Sequence, residues 1–368
     1  MTVINDALDW LRLYRSENVG PVTFFRLLER FGTAAKALDA LPDLAGRGGK
    51  KKIALYPKDA AERELAALQR IGAELLLASD PHFPEALRAL EIAPLLTVLG
   101  NPDLLTRPSV AIVGGRDASL NGRKIAHTMA ADLGAARYGV VSGLARGIDT
   151  AVHRGGLATG TVAVLAGGVD HIYPPENANL HAAIAESGCL VSEMPPGFSP
   201  QARDFPRRNR IVSGLAQGVV VIEAKLKSGS LITARFALEQ GRELFAVPGS
   251  PLDPRSAGCN ALIKQGAMLA ENAEDIISTL GLLPGLPAAP RREPVSTSAE
   301  GGKSLSEAQN SVLALLNVTA VTVDEILRQC QLSPSTLSLI LLELELAGRL
   351  ERHPDMSVSL RALSPSGV

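Results

Sequence analysis

Residues 109–280 alternate between short apolar runs and longer segments with a polar face, and this alternation limits the fold more than any other feature of the chain. Six runs predict β-strands: Val110–Val113, Gly139–Ser142, Thr161–Leu165, Cys189–Ser192, Gly218–Glu223 and Leu244–Val247. Helices are predicted after Ser119 and over Ile148–Ala158, Asn177–Ala185 and Leu231–Gln240. Strands that are apolar on both sides need helices on both faces of a parallel sheet. We therefore predict an α/β fold with a Rossmann-like, doubly wound, mostly parallel sheet that binds ligands beyond the carboxyl ends of its strands.

Smaller modules are predicted on either side of this domain. Residues 1–75 predict two short helices separated by Gly20-Pro21, as in SAM-like or helix-hairpin-helix modules. Such a module either offers backbone amides to phosphate or serves only for packing. Residues 305–368 predict three helices followed by a polar hairpin, which is the order of a winged helix.

The chain accordingly divides into four predicted segments: a SAM-like helical module at 1–75, an extended Rossmann-like domain at 76–283, a linker at 284–304 and a winged-helix-like domain at 305–368. The linker is rich in Pro, Gly, Ser and Ala, a composition typical of flexible connections. Residues 76–108 contain several prolines and predict a connector that packs on the Rossmann-like domain.

The overall charge excludes a protein that attracts nucleic acid through a global positive field, because the formal net charge is only −1. Any nucleic-acid contact must come from local arginines and backbone amides. The three cysteines are far apart in the sequence, which argues against a disulfide framework and against a metal knuckle. No signal-peptide pattern and no uncharged apolar run of membrane-spanning length is present, so we expect a cytoplasmic protein without membrane contact.

Glycine-containing polar loops follow most of the predicted strands. Glycine allows a phosphate to approach the backbone, and the amides that open the next helix favour an anion. Tight turns between strands and helices also require glycine, but several such loops on one sheet edge favour phosphate binding. The candidate residues in these loops are Gly114, Arg116, Ser142, Gly143, Arg146, Gly147, Gly167, Ser228 and Gly229.

A second candidate element is the segment 203–210, where four arginines and one phenylalanine occur within eight residues. We predict a loop on the rim of the groove, between the fourth and fifth strands of the alternating domain. Arg207 and Arg208 are candidates for phosphate binding, because guanidinium groups hold phosphate oxygens in pairs. Phe205 is a candidate for stacking on a base or for anchoring the loop, and Asn209 for shaping the turn or donating a hydrogen bond.

The sequence contains no arrangement that points to catalysis. The six histidines form no metal-binding spacing, and no nucleophile is accompanied by a base. The dinucleotide fingerprint G-x-G-x-x-G is also missing. Asp149 is interpreted as a first-turn helix carboxylate, and Glu223 as a partner for an arginine of segment 203–210, with Arg210 the candidate. We therefore expect a binding protein with no catalytic residues, no metal and no cofactor.

The winged-helix-like domain carries four basic and seven acidic residues. Its presumed recognition helix, 333–347, has no Lys or Arg and contains Glu343 and Glu345. Recognition helices that enter DNA grooves usually present cationic or amide side chains. The sequence therefore favours a role in protein contacts for this domain.

Taken together, the motifs of residues 76–280 resemble the DprA/Smf family. The resemblance rests on the segments VAIVGGR, VVSGLARGIDTAVH, TVAVLAGGVDHIYPPEN, LVSEMPPG, FPRRNRIVSGLA, VVVIEAKLKSGSLITARFALEQGRELFAVPG and CNALIKQGA, which occur in that order. Arg116 matches the arginine of the family's first loop. Phe205, Arg207, Arg208 and Asn209 match its Phe-Pro-x-Arg-Asn segment. Gly115 departs from the family, which usually has Thr or Ser there.

The resemblance implies a mediator of recombination that binds single-stranded DNA, protects incoming strands in natural transformation and helps to load a RecA-type recombinase. It also implies a homodimer formed through the Rossmann-like domain. The alternative is a Rossmann-like enzyme or sensor for a nucleotide. The hydrolases among such proteins carry a Pro-Gly-Gly-x-Gly-Thr segment, whereas this chain has Pro248-Gly249-Ser250-Pro251.

Overall fold

The computed structural model describes residues 2–281, 305–353 and 357–361. Two compact units are present: a terminal unit, Met1–Ala61 together with Arg291–Val368, and a sheet unit, Glu62–Pro290. The predicted linker at 284–304 lies outside the described residues.

The N-terminal part of the terminal unit is helical, as predicted. Its helices are α1 (Thr2–Arg15), α2 (Pro21–Phe31) and α3 (Ala34–Arg47). Helix α2 begins with proline, whose missing N–H is not needed in the first turn, and it ends at Gly32, whose φ of 76° is the left-handed conformation that glycine adopts without strain. Phe24 and Leu27 of α2 are fully buried and form part of the core of this unit.

The sheet unit is built on nine strands. They are β1 (Glu74–Leu77), β2 (Leu95–Gly100), β3 (Ser109–Gly114), β4 (Gly139–Ser142), β5 (Thr161–Val164), β6 (Cys189–Ser192), β7 (Gly218–Ile222), β8 (Glu243–Ala246) and β9 (Met268–Leu269). Their order is β1-β2-β6-β5-β4-β3-β7-β8-β9. All neighbours from β6 to β9 are parallel, whereas β1–β2 and β2–β6 are antiparallel. The Rossmann-like, mostly parallel sheet is confirmed.

Helices cover the sheet of this unit and connect its strands. The α-helices described between residues 58 and 281 are α4 (Lys58–Arg70), α5 (Glu85–Ala89), α6 (Leu120–Ala135), α7 (Ile148–Gly156), α8 (Ala178–Ser187), α9 (Asp204–Gly214), α10 (Ser230–Glu239), α11 (Ala257–Lys264) and α12 (Ala273–Gly281). On one face, Met129 of α6, Val152 of α7 and Ile276 of α12 pack on Ile112 and Val220 of the central strands. All five side chains are buried, and each contributes about 1.5–3 kcal/mol to the stability of the folded unit.

Two expectations about elements of the sheet unit are wrong. The segment 76–108 is not a mere connector, because it supplies the second half of β1 and all of β2, which extend the sheet in the antiparallel sense. Segment 203–210 is not a loop, because all but its first residue belongs to α9. Pro206 lies in the first turn of α9, where proline is tolerated, and the Asp204 carboxylate accepts a hydrogen bond from the Gln201 amide at 2.8 Å to secure the helix start.

The C-terminal part of the terminal unit has the winged-helix order. Its elements are α13 (Leu305–Leu315), β10 (Val321–Thr322), α14 (Val323–Cys330), α15 (Pro334–Leu346), β11 (Leu350–Arg352) and β12 (Ser357–Leu360). The strands form an antiparallel sheet in the order β10-β12-β11. Ser333 caps α15 by accepting a hydrogen bond from the Thr336 amide at 3.1 Å.

Candidate nucleic-acid interface

A cavity of about 740 Å³ opens at the carboxyl ends of β3, β4 and β7. The strand order reverses direction between β3 and β7, and parallel sheets of this type bind ligands at such a switch point. Five cationic and three acidic residues contribute to the lining. These charged residues are Arg116, Arg208, Lys225, Lys227, Arg255, Asp117, Asp149 and Glu223.

An exposed arginine and two aromatic rings meet at the rim of this cavity. The guanidinium carbon of Arg116 lies 5.5 Å from the ring centroid of Phe205. The ring of Tyr173 lies 5.3 Å from the same ring, tilted by 54°. Tyr173 keeps 44% of its surface exposed, so its ring is accessible to a ligand. We call these three residues the aromatic rim; they combine a cation for phosphate with flat surfaces for bases.

The floor of the cavity contains a buried cation. Arg208 is only 7% exposed, and its Nη1 donates to the carbonyl of Gly143 at 2.8 Å and to the carbonyl of Val164. Burial lowers the pKa of Arg208 to about 10, while the charge of Asp149 acts in the opposite direction. A side chain at Gly143 would place its Cβ 2.5 Å from the guanidinium, so glycine is required for the approach of Arg208. Arg208 therefore links the ends of β4 and β5 by hydrogen bonds at the floor of the cavity.

Two further buried ionisable groups lie beside Arg208. Burial raises the pKa of Asp149 above its usual range, and the Arg208 charge opposes this shift. Asp149 stands in the first turn of α7, as expected, and accepts a hydrogen bond from the Ala145 amide at 3.3 Å. Burial lowers the pKa of His153 to about 3, and the Arg208 charge contributes in the same direction. His153 is therefore neutral at physiological pH, and its Nδ1 lies 2.9 Å from the Thr161 hydroxyl.

The structure brings eight of the sequence-predicted binding residues together in the cavity lining. They are Gly114, Arg116, Gly143, Phe205, Arg208, Asn209, Ser228 and Gly229. Their assignment to DNA contacts stays a prediction, although Arg208 contributes from the floor rather than from the exposed surface.

The other five predicted residues lie outside this lining: Ser142, Arg146, Gly147, Gly167 and Arg207. Ser142 is buried, and its hydroxyl donates to the Ile112 carbonyl at 2.7 Å. Gly147 has a φ of 79° and directs the chain into α7. Arg146 is exposed and pairs with Glu176 at 2.6 Å. Ser142 and Gly147 thus shape the loop that carries Gly143.

Of the aromatic and cationic residues in the lining, four were not among the sequence-predicted binding residues: Tyr173, Lys225, Lys227 and Arg255. Lys225 follows the end of β7 and is exposed, and together with Lys227 it was recognisable as a cationic pair in a loop at the correct sheet edge. Tyr173 and Arg255 lie in irregular segments whose position depends on the tertiary fold.

The expected pairing of Glu223 with an arginine of segment 203–210 is wrong. The Glu223 carboxylate accepts hydrogen bonds from the backbone amide and the hydroxyl of Ser119, at 2.7 and 2.5 Å. Arg210 instead pairs with the buried Glu193, with 2.5 Å between Nη2 and Oε2. Glu193 follows β6, which lies four positions from β7 in the sheet, so α9 places Arg210 beside a different strand end from the one expected.

Within the described ranges, no group of three or more His, Cys, Asp or Glu side chains is arranged to hold a metal ion. In the same part of the chain, no helix combines the length and the apolar character needed to cross a bilayer.

Comparison with known proteins places all three modules in one family. Residues 74–281 match the model of DNA recombination-mediator protein A. Residues 5–67 match a DprA-like N-terminal HHH domain, and residues 296–356 match a DprA winged helix domain.

Individual relatives agree with this assignment. Protein Smf of Escherichia coli is 38% identical over 311 residues, which are 83% of this chain and 82% of that protein. A DNA processing protein A structure from Streptococcus pneumoniae is similar with a TM-score of 0.62 and 35% identity, covering 73% of this chain and 95% of that chain. A Helicobacter pylori structure, described by its single-stranded DNA binding mode, has a TM-score of 0.52 and 32% identity, and covers 56% of this chain and 95% of that chain. The chain therefore belongs to the DprA/Smf family of DNA recombination mediators.

Proposed function

We propose that the cavity at the β3–β7 switch point binds single-stranded DNA without sequence preference, and that the protein acts as a mediator that protects strands and helps to load a RecA-type recombinase. The aromatic rim carries this proposal, because it places Arg116, Phe205 and Tyr173 together at the mouth of a cationic cavity. The proposed activity is binding and hand-over of a strand, with no bond made or broken.

The aromatic rim favours a single strand over a duplex. Unpaired bases expose flat faces that stack on Phe205 and Tyr173, while a duplex keeps its bases stacked inside. Lys225 and Lys227 are exposed near the rim and offer cations to successive phosphates. Because cations are concentrated here in a chain of net charge −1, affinity should depend on a few side chains and fall steeply with salt.

The experiment is a titration of the full chain with fluorescent oligo(dT) and with a duplex of equal length, at two salt concentrations. Arg116→Ala should weaken oligo(dT) binding by roughly tenfold, since charge-assisted hydrogen bonds contribute about 1.5–3 kcal/mol each. The matched control is Arg235→Ala, because Arg235 also lies over a ring, 5.6 Å from the centroid of Phe236, but outside the cavity. Equal affinities of the two variants, or a preference of the wild type for duplex, would contradict the proposal.

We propose further that the protein is a homodimer through its sheet unit. The support is the exposed end of the sheet at β9, where Met268 and Leu269 keep 42% and 49% of their surfaces accessible. Sedimentation of the wild type and of a Met268→Asp, Leu269→Asp double variant tests this; a wild-type monomer at micromolar concentration would exclude it. Partnership with a RecA-type recombinase is supported by the family alone and is tested by co-precipitation with purified recombinase.

We propose that the winged helix makes protein contacts. One such contact is with the N-terminal helices of the same terminal unit. Helix α15 packs on the N-terminal helices, where the Asn18 amide donates to the Leu346 carbonyl at 2.9 Å. Glu343 of α15 is buried, and its carboxylate lies 3.7 Å from Arg47. A helix that is covered in this way and lacks cations does not present a DNA-reading face. Removal of residues 285–368 should spare oligo(dT) binding, and its loss in that variant would contradict this role.

A further inference from the structure

The helix that follows the first parallel strand of the sheet unit has a carboxylate seated at its N-terminus. In Rossmann-like proteins this helix N-terminus is the usual place for a ligand phosphate, since its free amides and its dipole attract an anion. Here the helix is α6, and Ser119 is its N-cap. The Ser119 hydroxyl accepts a hydrogen bond from the Gly122 amide at 2.9 Å and donates to Glu223. The Ser119 amide donates to the other oxygen of Glu223 at 2.7 Å.

The carboxylate of Glu223 occupies the space beside the first turn of this helix. A Cβ built on Gly122 would lie 2.5 Å from the carboxyl carbon of Glu223 and 2.7 Å from each oxygen. The carboxylate thus covers the first turn of α6 at van der Waals distance. The backbone of Glu223 has a φ of 49°, a left-handed conformation uncommon for a residue with a side chain. This turn directs the carboxylate from the end of β7 across to α6.

Glu223 also contributes to the lining of two neighbouring cavities. It lines the 740 Å³ cavity and an adjacent cavity of about 250 Å³ that surrounds the start of α6. The smaller cavity includes Ser119, Gly122 and Gly249 in its lining. A phosphate that approached α6 from the larger cavity would therefore meet the negative charge of the Glu223 carboxylate.

We propose that Glu223 is a specificity-determining residue. Its carboxylate occupies the anion position of α6 and thereby excludes pyrophosphate and mononucleotides. The backbone of a strand then binds at the aromatic rim. This inference rests on the proposed function in that it assigns the phosphates of the ligand to the rim. It also gives a physical reason why a Rossmann-like sheet in this chain favours a polymer over a nucleotide cofactor.

The test is calorimetry of the full chain with inorganic pyrophosphate and with dTMP, alongside oligo(dT), for the wild type, Glu223→Gln and Glu223→Ala. Glu223→Ala opens the helix end and should bind pyrophosphate at least tenfold more tightly than the wild type. Glu223→Gln removes only the charge and should give a smaller gain, of about threefold. The charge-matched control is Asp117→Asn, because Asp117 lines the same cavity but its side chain is 89% exposed.

The outcomes distinguish occupation of the α6 N-terminus by Glu223 from a general effect of negative charge in the cavity. An equal gain in Asp117→Asn would show that only net charge matters and would overturn the proposal, as would a folded Glu223→Ala variant without a gain. If Glu223→Ala fails to fold, Glu223→Gln decides, and no gain in that variant overturns the proposal. Failure of the wild type to bind oligo(dT) would refute the proposed function but leave the pyrophosphate comparison valid.

Discussion

The guanidinium of Arg116 lies over the ring of Phe205, with 5.5 Å between the guanidinium carbon and the ring centroid, although the two residues belong to distant parts of the sequence. Arg116 follows β3, and Phe205 is in the first turn of α9. Both residues line the cavity, and the arginine covers one face of the ring. A base that stacks on the aromatic rim therefore brings its phosphate close to a positioned cation.

Replacement of Phe205 by leucine should weaken oligo(dT) binding by about 1–3 kcal/mol, because base–aromatic stacking contributes about that much per base. The loss should be similar for different base sequences, since every base offers a flat face. Fluorescence anisotropy with oligo(dT) and oligo(dA) measures this. Phe236→Leu is the control, because Phe236 has an arginine over its ring and lies outside the cavity lining. Equal affinities in the two leucine variants would refute stacking at Phe205.

Arg208 should be more important for stability than for direct contact with DNA. Its guanidinium is buried and donates to the carbonyls of Gly143 and Val164. Arg208→Ala should therefore lower the free energy of unfolding by about 3–5 kcal/mol, since it leaves buried Asp149 without its compensating charge. Urea denaturation measures the loss, and Arg207→Ala, at an exposed position next to it, should cost less than about 1 kcal/mol. Similar losses in both variants would show that the buried contacts contribute little.

His153 should make the sheet unit sensitive to acid. Its folded pKa is about 3, below the ordinary value of 6.5, so the unfolded chain binds a proton that the folded chain does not. Stability is therefore unaffected above about pH 7 and falls by about 1.4 kcal/mol per pH unit as the pH drops from 6.5 towards 3. Asp149 acts in the opposite sense, because its folded pKa is raised.

The contribution of His153 is isolated by comparison with His153→Gln, which keeps a hydrogen-bonding group near Thr161 and cannot be protonated. The Asp149 contribution is present in both proteins. The difference in unfolding free energy between wild type and variant, measured by urea denaturation from pH 7.5 to 4, should therefore change with pH in favour of the variant at low pH. A constant difference would contradict the burial of a neutral imidazole.

The periodicity of the sequence was sufficient to predict the central sheet. Continuous apolar runs bounded by turn residues, such as Gly139–Ser142, are typical of buried strands, and β4 has these same bounds. Strands β1 and β2 were missed because nearby prolines obscured two short leucine-rich runs. Helix α9 was missed because Pro206 suggested a loop, whereas proline in a first turn does not interrupt a helix.

Part of the candidate site was predictable because its residues follow strands directly, and Phe205, Arg208 and Asn209 were predicted from the arginine-rich segment 203–210. The carboxyl ends of parallel strands converge, so Gly114, Arg116 and Gly143 were found from position alone. The burial of Arg208 was not predictable, because its partners are backbone carbonyls at the ends of other strands. Carbonyl groups are present at every residue and leave no pattern in a sequence. Tyr173 was missed for a related reason, since no periodicity connects it to Phe205.

The terminal unit contains a buried carboxylate whose removal should stabilise it. Glu343 is 1% exposed, and among the described residues neither of its oxygens has a hydrogen-bond partner. Burial raises the pKa of Glu343, and Arg47 only partly offsets this. Replacing a poorly compensated buried charge with an apolar group is often neutral or stabilising, by about 1–4 kcal/mol. Glu343→Leu should therefore raise the midpoint of the thermal transition of the terminal unit, most at neutral pH, where the wild-type carboxyl is ionised in the unfolded chain.

Glu345→Leu is the comparison, because Glu345 pairs with Arg352 at 3.1 Å and the loss of this pair should not stabilise the terminal unit. Destabilisation by Glu343→Leu would show that the contact with Arg47 outweighs desolvation and holds α15 against the N-terminal helices.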